Sequence, residues 1–432
     1  MEYHDLLHGH IRFDARDETS LLLGELINSP EINRLRNMRQ MNFDVPLIQE
    51  LGRSRRLPHS IGVSHIALLL AKRSGLDRAD TNTLIAAAIL HDAAIPPYGH
   101  LVESEFKNSA VGFKHEKRVE DLIRGTINSE NQYMQPVPNK SLQVASILDK
   151  YNVSHQKVID VICPDVGRKS PISAQVDLDN IDNVHRMAAM LGWSDSYKNV
   201  EAVLSGIRLR GLGEMIFSAE SAFALQKWMD FRQRIYTLII AHPECIPYNA
   251  LQTDLVRLAI ASEIVTPDHW WLSEPVFEEK LRASPSAGAL ASQLISGCEY
   301  QTVDYVWLKN FQSAKKLHNG QIVDFMEGSI DTPSNHGYFV WNEKGLISRK
   351  IEVALDDRKT RSIGEDSTSC MVALVKKTAG KGKWSKASSM RWRREVIEGF
   401  AKLFAVSEFE LDFPETYTGE FLKNKNDEIR FS

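Results

Sequence analysis

The chain has 432 residues, 43% of them hydrophobic and 25% charged, with a formal net charge of −4. Such proportions exclude a disordered or fibrous chain, and the length predicts one large core with a smaller lobe. The negative balance also argues against nucleic-acid binding by the chain as a whole.

Cys163, Cys245, Cys298 and Cys370 lie far apart, with no CxxC spacing and so no disulfide framework. No apolar run reaches the ~18–20 residues of a membrane span. The opening MEYHDLLHGHIRFD is too polar for a signal peptide, which makes the cytoplasm the expected compartment.

His4, His8 and His10 surround Gly9 in what reads as a structured entry loop. Ser29 before Pro30 marks a helix start, predicted to continue through EINRLRNMRQM with Ile32, Leu35 and Met38 on one face. Arg34, Arg36 and Arg39 crowd the remaining surface, and the spacing favours a solvated face over an anion site. Arg53, Arg55 and Arg56 then lead into the stretch around which the chain is organised.

In that stretch His59 opens one apolar helical run, and His91-Asp92 closes a second, from Thr83 to Leu90. Ionised carboxylates are seldom buried unless paired or metal-bound. Imidazole and carboxylate together suit a divalent ion such as Mn, Fe or Zn. An isolated His-Asp dipeptide is more often a core histidine beside a capping aspartate; the apolar surroundings favour the metal. Pro96-Pro97 must interrupt the helix. Beyond the break, His100 and Glu103 stand three apart on one helical face, the spacing of a carboxylate-oriented general acid/base. A surface His–Glu pair explains that spacing equally well. His115-Glu116 opens the next helix, to about Gly125, and an Asn-rich loop follows from Asn128 to Lys140.

Residues 141–200 read as helical and end in VDLDNIDNVHRMAAMLG. Asp182 and Arg186 form an i,i+4 pair, in the bland reading an ordinary ion pair. In the sharper reading Asp179 is a fourth ligand beside His59, His91 and Asp92, leaving positions open for water and a substrate oxygen. A long amphipathic helix over 221–244, stopped by Pro243, carries Arg232 and Tyr236 one turn apart. Helical periodicity continues from Ala250 to about Lys309, with Trp270-Trp271 as core or interface anchors.

Near Asn319 the character changes. GYFVWNEKGLISRKIEVALDD and SCMVALVKKT read as strands and MRWRREVIEGFAKLFAV as a helix. Lys376, Lys377, Lys381, Lys383, Lys386, Arg391, Arg393 and Arg394 make a basic cluster, a solvated loop or a nucleic-acid contact. The expected architecture is mainly α: a helical core over 1–330, with the motif region at about 53–190, and a small α+β lobe over 331–432 bearing a basic loop at 376–394.

The order HGHIRFD, INSPEINRLRNMRQM, RLPHSIGV, HDAAIPPYGH, KHE, VDLDNIDN, IIAHP and CEYQTVDYVWLKN resembles the HD-domain phosphohydrolases. It is similar to their deoxynucleoside triphosphate triphosphohydrolase branch, with the bacterial dGTPases and the vertebrate SAM- and HD-domain dNTPase. The resemblance implies that His59, His91, Asp92 and Asp179 hold one divalent metal ion per chain (Mn, Fe, Mg or Zn). It implies catalytic roles for His100, Glu103 and His115. Arg56 and Arg232, with Tyr236 a turn away, match positions near substrate phosphate, and Gln40 one near the deoxyribose. Some positions depart from the family pattern. Ile95 replaces a histidine, Asn180 a lysine, Asn183 a tyrosine, Met187 an acid and Ile240 a tyrosine.

The expected function is therefore a metal-dependent phosphohydrolase acting on a (deoxy)nucleoside triphosphate and releasing nucleoside and tripolyphosphate. The rival readings are a nucleotide-sensing pseudo-enzyme and an HD-type nuclease using the 376–394 segment. The resemblance also implies a homo-oligomer, with Trp270-Trp271 and the C-terminal lobe as contact area, and no membrane partner.

Overall fold

The computed structural model describes residues 2–14, 16–42, 45–109, 112–127, 142–242, 244–309, 317–342, 349–365, 370–378, 384–404 and 410–412. The Asn-rich stretch at 128–140, Pro243, Lys381 and Lys383 lie outside them. The architecture is mainly α.

The His-rich opening is an antiparallel hairpin of β1 (Glu2–Asp5) and β2 (Gly9–Arg12) where the sequence predicts only a loop. Helix α1 (Glu18–Ile27) is capped by Asp17. Helix α2 (Pro30–Asn33) starts as the sequence predicts, with the Ser29 side chain accepting the Ile32 N–H. It then tightens into a 3-10 turn at Arg34–Asn37 instead of running on to Met41.

The arginines of this segment are also not a solvated face. Arg34 is buried and donates to the carbonyls of Ala93, Ile95, Trp270 and Leu272 at 3.1, 2.7, 3.3 and 3.0 Å. Arg39 pairs with Glu274 at 2.8 Å and with Glu278, which leaves Arg36 as the exposed one of the three. Irregular backbone buried at the His-Asp turn needs donors, and Arg34 supplies them.

Helices α3 (Gln49–Arg53), α4 (Arg56–Ser74) and α5 (Arg78–Leu90) follow. All residues of α5 from Thr81 to Leu90 are buried, because α4, α1 and later α9 cover it on every side. That is why its sequence shows no polar stripe. Next come α6 (His100–Asn108), α7 (His115–Arg124), α8 (Val144–Lys150), α9 (His155–Ile162), α10 (Leu178–Met190) and α11 (Asp195–Ser205). A hairpin of β3 (Ile207–Arg210) and β4 (Glu214–Phe217) leads into α12 (Ala219–Ala241), which ends before an extended His242, as a following proline requires. Then come α13 (Ile246–Ala261), a 3-10 turn at Pro267–Trp271, α14 (Glu274–Arg282) and α15 (Gly288–Ser296).

The helical expectation fails at the end of this region, where Gln301–Lys309 is strand β5. After it lie α16 (Asn319–Ser329), β6 (His336–Asn342), β7 (Ile351–Ala354), β8 (Thr360–Ile363), β9 (Cys370–Lys376), α17 (Lys386–Phe404) and β10 (Glu410–Asp412). The antiparallel sheet runs β10-β5-β9-β6, with β9 buried along its whole length, while β7 and β8 pair as a separate hairpin. A second hydrophobic core gathers Val306, Leu308, Ile322, Met326, Val340, Trp392 and Phe400.

Two further expectations are corrected here. The 376–394 segment is not one basic loop: Lys376 ends β9, Lys386 begins α17, Lys377 pairs with Asp254 at 2.8 Å, and Arg393 with Asp304 at 2.8 Å. Trp270 and Trp271 are 5% and 4% exposed in the core, so they offer no contact area to a second copy. All four cysteines are free, and no described helix is long and apolar enough to cross a membrane.

Replacing Arg34 with methionine would keep much of its volume and leave four buried carbonyls without their donor. Urea unfolding should show a loss of about 3 kcal/mol or more.

Candidate active site

Of the four expected ligands, His59, His91 and Asp179 come together from three parts of the chain, and Asp92 stands beside His91. His59 sits in the second turn of α4, His91-Asp92 directly follow α5, and Asp179 lies in the first turn of α10. His59 Nε2 is 2.9 Å from Asp179 Oδ1. His91 Nε2 is 3.8 Å from that same oxygen and 3.7 Å from Asp92 Oδ2. Ligand atoms of His59, His91 and Asp179 all lie within 4.8 Å of one another.

The far nitrogens set the tautomers. His59 Nδ1 is 2.8 Å from Asp182 Oδ1, and His91 Nδ1 is 2.8 Å from the Ala88 carbonyl oxygen. Both Nε2 atoms are buried and make no hydrogen bond. His59 Nε2 does lie within ion-pair distance of Asp179 Oδ1. Buried polar atoms without partners are rare and destabilising. Two of them converging on carboxylates, with their Nδ1 positions already held, match the donor set of a divalent metal.

Behind His59 stands Asp182, completely buried. Its carboxylate meets His59 Nδ1, His8 Nε2 at 2.7 Å, and Arg186 Nε and Nη2 at 2.8 and 3.0 Å. Arg186 continues to Asp5 at 2.8 Å, which ties the N-terminal hairpin to the site. Burial works to raise the Asp182 pKa, yet Arg186, then His59 and His8, hold it well below the usual carboxylate range. The i,i+4 pair legible in the sequence is thus a buried support for a ligand. The roles of His8 and Asp5 escaped sequence reasoning, since both act across more than 170 residues of chain. Gly62 makes this possible, because a Cβ there would fall 2.3 Å from Asp182 Oδ2 and 2.4 Å from Arg186 Nη2.

Arg56 donates from Nη1 to Asp92 Oδ2 at 2.6 Å and from Nη2 to the Gln40 carbonyl at 3.4 Å. Burial opposes ionisation of Asp92, but Arg56, followed by His91, His59 and His115, holds its carboxyl far below the ordinary value. Arg56 therefore lies against the Asp92 carboxylate.

The Pro96-Pro97 break ends in two left-handed residues, Tyr98 (φ 59°) and Gly99 (φ 53°), from which α6 starts at His100. His100 Nδ1 lies 3.1 Å from Glu103 Oε2, as the spacing predicts. The same oxygen is 3.1 Å from His115 Nδ1, while Glu103 Oε1 accepts the His115 N–H at 3.4 Å and lies 3.2 Å from Lys107 Nζ. One carboxylate thus orients two imidazoles. Burial would raise the Glu103 pKa, but His100 and His115 keep it well below the usual range; Glu103 in turn overcomes burial to raise that of His115. The His100 side chain remains 60% exposed, beside a cavity of about 220 Å³ shared with Asn42, Arg257, His318 and Trp341.

The remaining expected contacts are more dispersed. Gln40 is buried and donates to Asn183 Oδ1 at 3.2 Å. Arg232, 2% exposed, donates to Asn180 Oδ1 at 3.0 Å and lies 4.8 Å from the Tyr236 ring centre. Ile95, Met187 and Ile240 are all buried in the apolar core.

The family profile described as "HD domain" matches residues 56–163. The chain carries an HD domain. The matched span contains His59, His91, Asp92, His100, Glu103 and His115, while Asp179 lies beyond it. The chain is 26% identical over 266 residues to "Uncharacterized protein YwfO" of Bacillus subtilis, covering 60% of this chain and 55% of that protein. It is 30% identical over 264 residues to "Uncharacterized protein MJ1154" of Methanocaldococcus jannaschii, covering 60% and 49%. A third relative, "Uncharacterized protein MG461" of Mycoplasma genitalium, is 24% identical over 252 residues, covering 55% of each chain. The chain thus spans about half the length of the curated relatives it matches.

Two measurements probe the HD-domain site. Elemental analysis should find about one divalent transition ion per chain, lost in Asp179→Asn and Asp92→Asn and kept in Glu103→Gln. Equal loss in Glu103→Gln would move the ion to the neighbouring His100–Glu103–His115 cluster. Gly62→Ala should lower stability by ~1–3 kcal/mol in thermal unfolding and weaken metal retention as Asp182 shifts.

Proposed function

We propose that the HD domain is a metal-dependent phosphohydrolase acting on a nucleotide, with a (deoxy)nucleoside triphosphate as substrate and nucleoside and tripolyphosphate as products. The observation that carries this reading is the pair of buried Nε2 atoms of His59 and His91 converging on Asp179 and Asp92, next to the His100–Glu103–His115 cluster. The triphosphate rests on the sequence resemblance, and the hydrolytic class on the HD domain.

His59, His91, Asp92 and Asp179 would hold a divalent ion, which would supply Lewis acidity for phosphoryl chemistry. Two imidazoles with two carboxylates suit Mn, Fe or Zn better than Mg, which prefers an all-oxygen shell. His100 moves the proton: Glu103 takes its Nδ1 side, leaving Nε2 for the proton exchanged between water and the leaving 5′ oxygen. His115 braces the Glu103 carboxylate, so His100 keeps its orientation. Arg56 keeps Asp92 ionised as a ligand, and Arg232 is the guanidinium available to phosphate oxygens.

A second reading, nucleotide sensing without turnover, draws on Ile95. The side chain standing where the family has a phosphate-holding histidine is wholly buried, so it offers the substrate no polar group. The nuclease reading loses support from the pairing of Lys377 with Asp254 and of Arg393 with Asp304.

Purified protein should be assayed with Mn²⁺ against ribo- and deoxynucleoside triphosphates, with tripolyphosphate resolved from pyrophosphate and phosphate. His100→Ala should retain the ion and the fold and lose ~10²-fold or more in rate. Glu103→Gln should lose less, since it disturbs orientation without deleting the reacting group. An active wild type with an equally active His100→Ala removes the proton-transfer role; an inert wild type that binds nucleotides establishes the sensor.

A further inference from the structure

Several guanidiniums among the described residues meet carboxylates: Arg56 meets Asp92, Arg186 meets Asp5 and Asp182, Arg39 meets Glu274 and Glu278. Arg34 instead serves four backbone carbonyls, and two further arginines have neither arrangement. Arg232 on α12 donates from Nη1 to the neutral Asn180 amide oxygen at 3.0 Å, and Arg349, just before β7, donates from Nη2 to the Gln175 carbonyl oxygen. The Nε atom of each is buried without a hydrogen-bond partner, and neither guanidinium has a carboxylate partner among the described residues. Asp177 lies nearby, but its oxygens accept from the backbone N–H groups of Ala174 and Asn180 and from Asn180 Nδ2, at 3.0, 2.7 and 2.8 Å.

Both arginines rest on one short segment, 175–180, which also presents the ligand Asp179 at the start of α10. They reach it from two separate parts of the chain. Arg232 comes from the long core helix. Arg349 is held by the β7–β8 hairpin, which is seated on that helix and on β4. Gly364 donates to Gln226 Oε1 at 3.5 Å, Asp356 donates to the Phe217 carbonyl at 3.1 Å, and a Cβ on Gly364 would lie 3.2 Å from Met229 Cε. Burial first, and then repulsion from Arg232, bring the Arg349 pKa down to about 10, so the two cations feel each other.

Neighbouring, partly desolvated guanidiniums without a counterion are costly unless an anion completes them. Their planar donor forks match phosphate oxygens two at a time. We propose that Arg349 is a substrate-binding residue which, with Arg232, grips the terminal phosphates of a polyphosphate substrate, so that the C-terminal lobe contributes to the HD-domain site. The proposal rests on the phosphoryl-substrate reading above and adds a residue that neither the spacing nor the resemblance indicates.

The probe is inorganic tripolyphosphate, titrated calorimetrically at fixed ionic strength into the full-length protein as purified. Arg349→Ala should weaken binding ~10-fold or more, and Arg349→Lys should recover only part of it, being a point charge without the fork. Lys350→Ala removes an equal, exposed charge next door and should change affinity less than twofold. Metal content should be unchanged in all three, and for nucleotide hydrolysis Arg349→Ala should raise KM more than it lowers kcat.

Absence of saturable tripolyphosphate binding by wild type overturns the proposal, as does equal weakening in Arg349→Ala and Lys350→Ala. Arg349-dependent binding with no nucleotide hydrolysis keeps the arginine pair and removes the hydrolase. Hydrolysis with an unchanged KM in both Arg349 variants keeps the hydrolase and removes the pair.

Discussion

The Asp182 carboxylate has no contact with solvent, and three groups from three parts of the chain end on it: His59 of α4, Arg186 of α10, and His8 of the N-terminal hairpin, with Asp5 reached through Arg186. An isolated charge at that depth would be prohibitively unfavourable, so hairpin, α4 and α10 must be assembled together or not at all. The same hydrogen bond that satisfies Asp182 orients His59, and α10 holds Asp179 one turn before it. Burial of one ion thereby positions the donors for another.

The charge arrangement divides the molecule. Asp182 and Asp92 each have an arginine, and both carboxyls are held ionised. Around His100, one carboxylate serves two imidazoles, one ring exposed and the other buried. Paired charges hold the framework, and the incompletely paired ones face the place where chemistry would occur.

The local parts of this arrangement were readable in advance because they depend on short spacing. His91-Asp92 at the end of an apolar run, the Pro96-Pro97 break and the three-residue step from His100 to Glu103 are all confined to one or two helical turns. Asp179 entered as the sharper of two readings of VDLDNIDN, beside an ordinary ion pair, since no periodicity links it to residues 59–92. Arg34 misled the periodicity: three arginines in six positions resemble a wet surface, but Arg34 alone serves the buried carbonyls of residues 93, 95, 270 and 272. Strand β5 was hidden for a different reason. Its Val, Tyr and Trp content is typical of strands, yet a bulge between Thr302 and Asp304 breaks the alternation by which strands are recognised.

Helix α5 has no solvent face from Thr81 to Leu90. A helix enclosed in this way cannot fray or tilt independently, so its amide protons exchange with water only when the whole domain opens. His91 and Asp92 follow directly from that element, and their carbonyl scaffold is fixed by Arg34 and Ala88. Withdrawing an ion from such a site leaves the donors where they were. The domain is thereby suited to exchange one divalent ion for another without refolding, and which ion it carries becomes a matter of supply in its surroundings as well as of its own geometry.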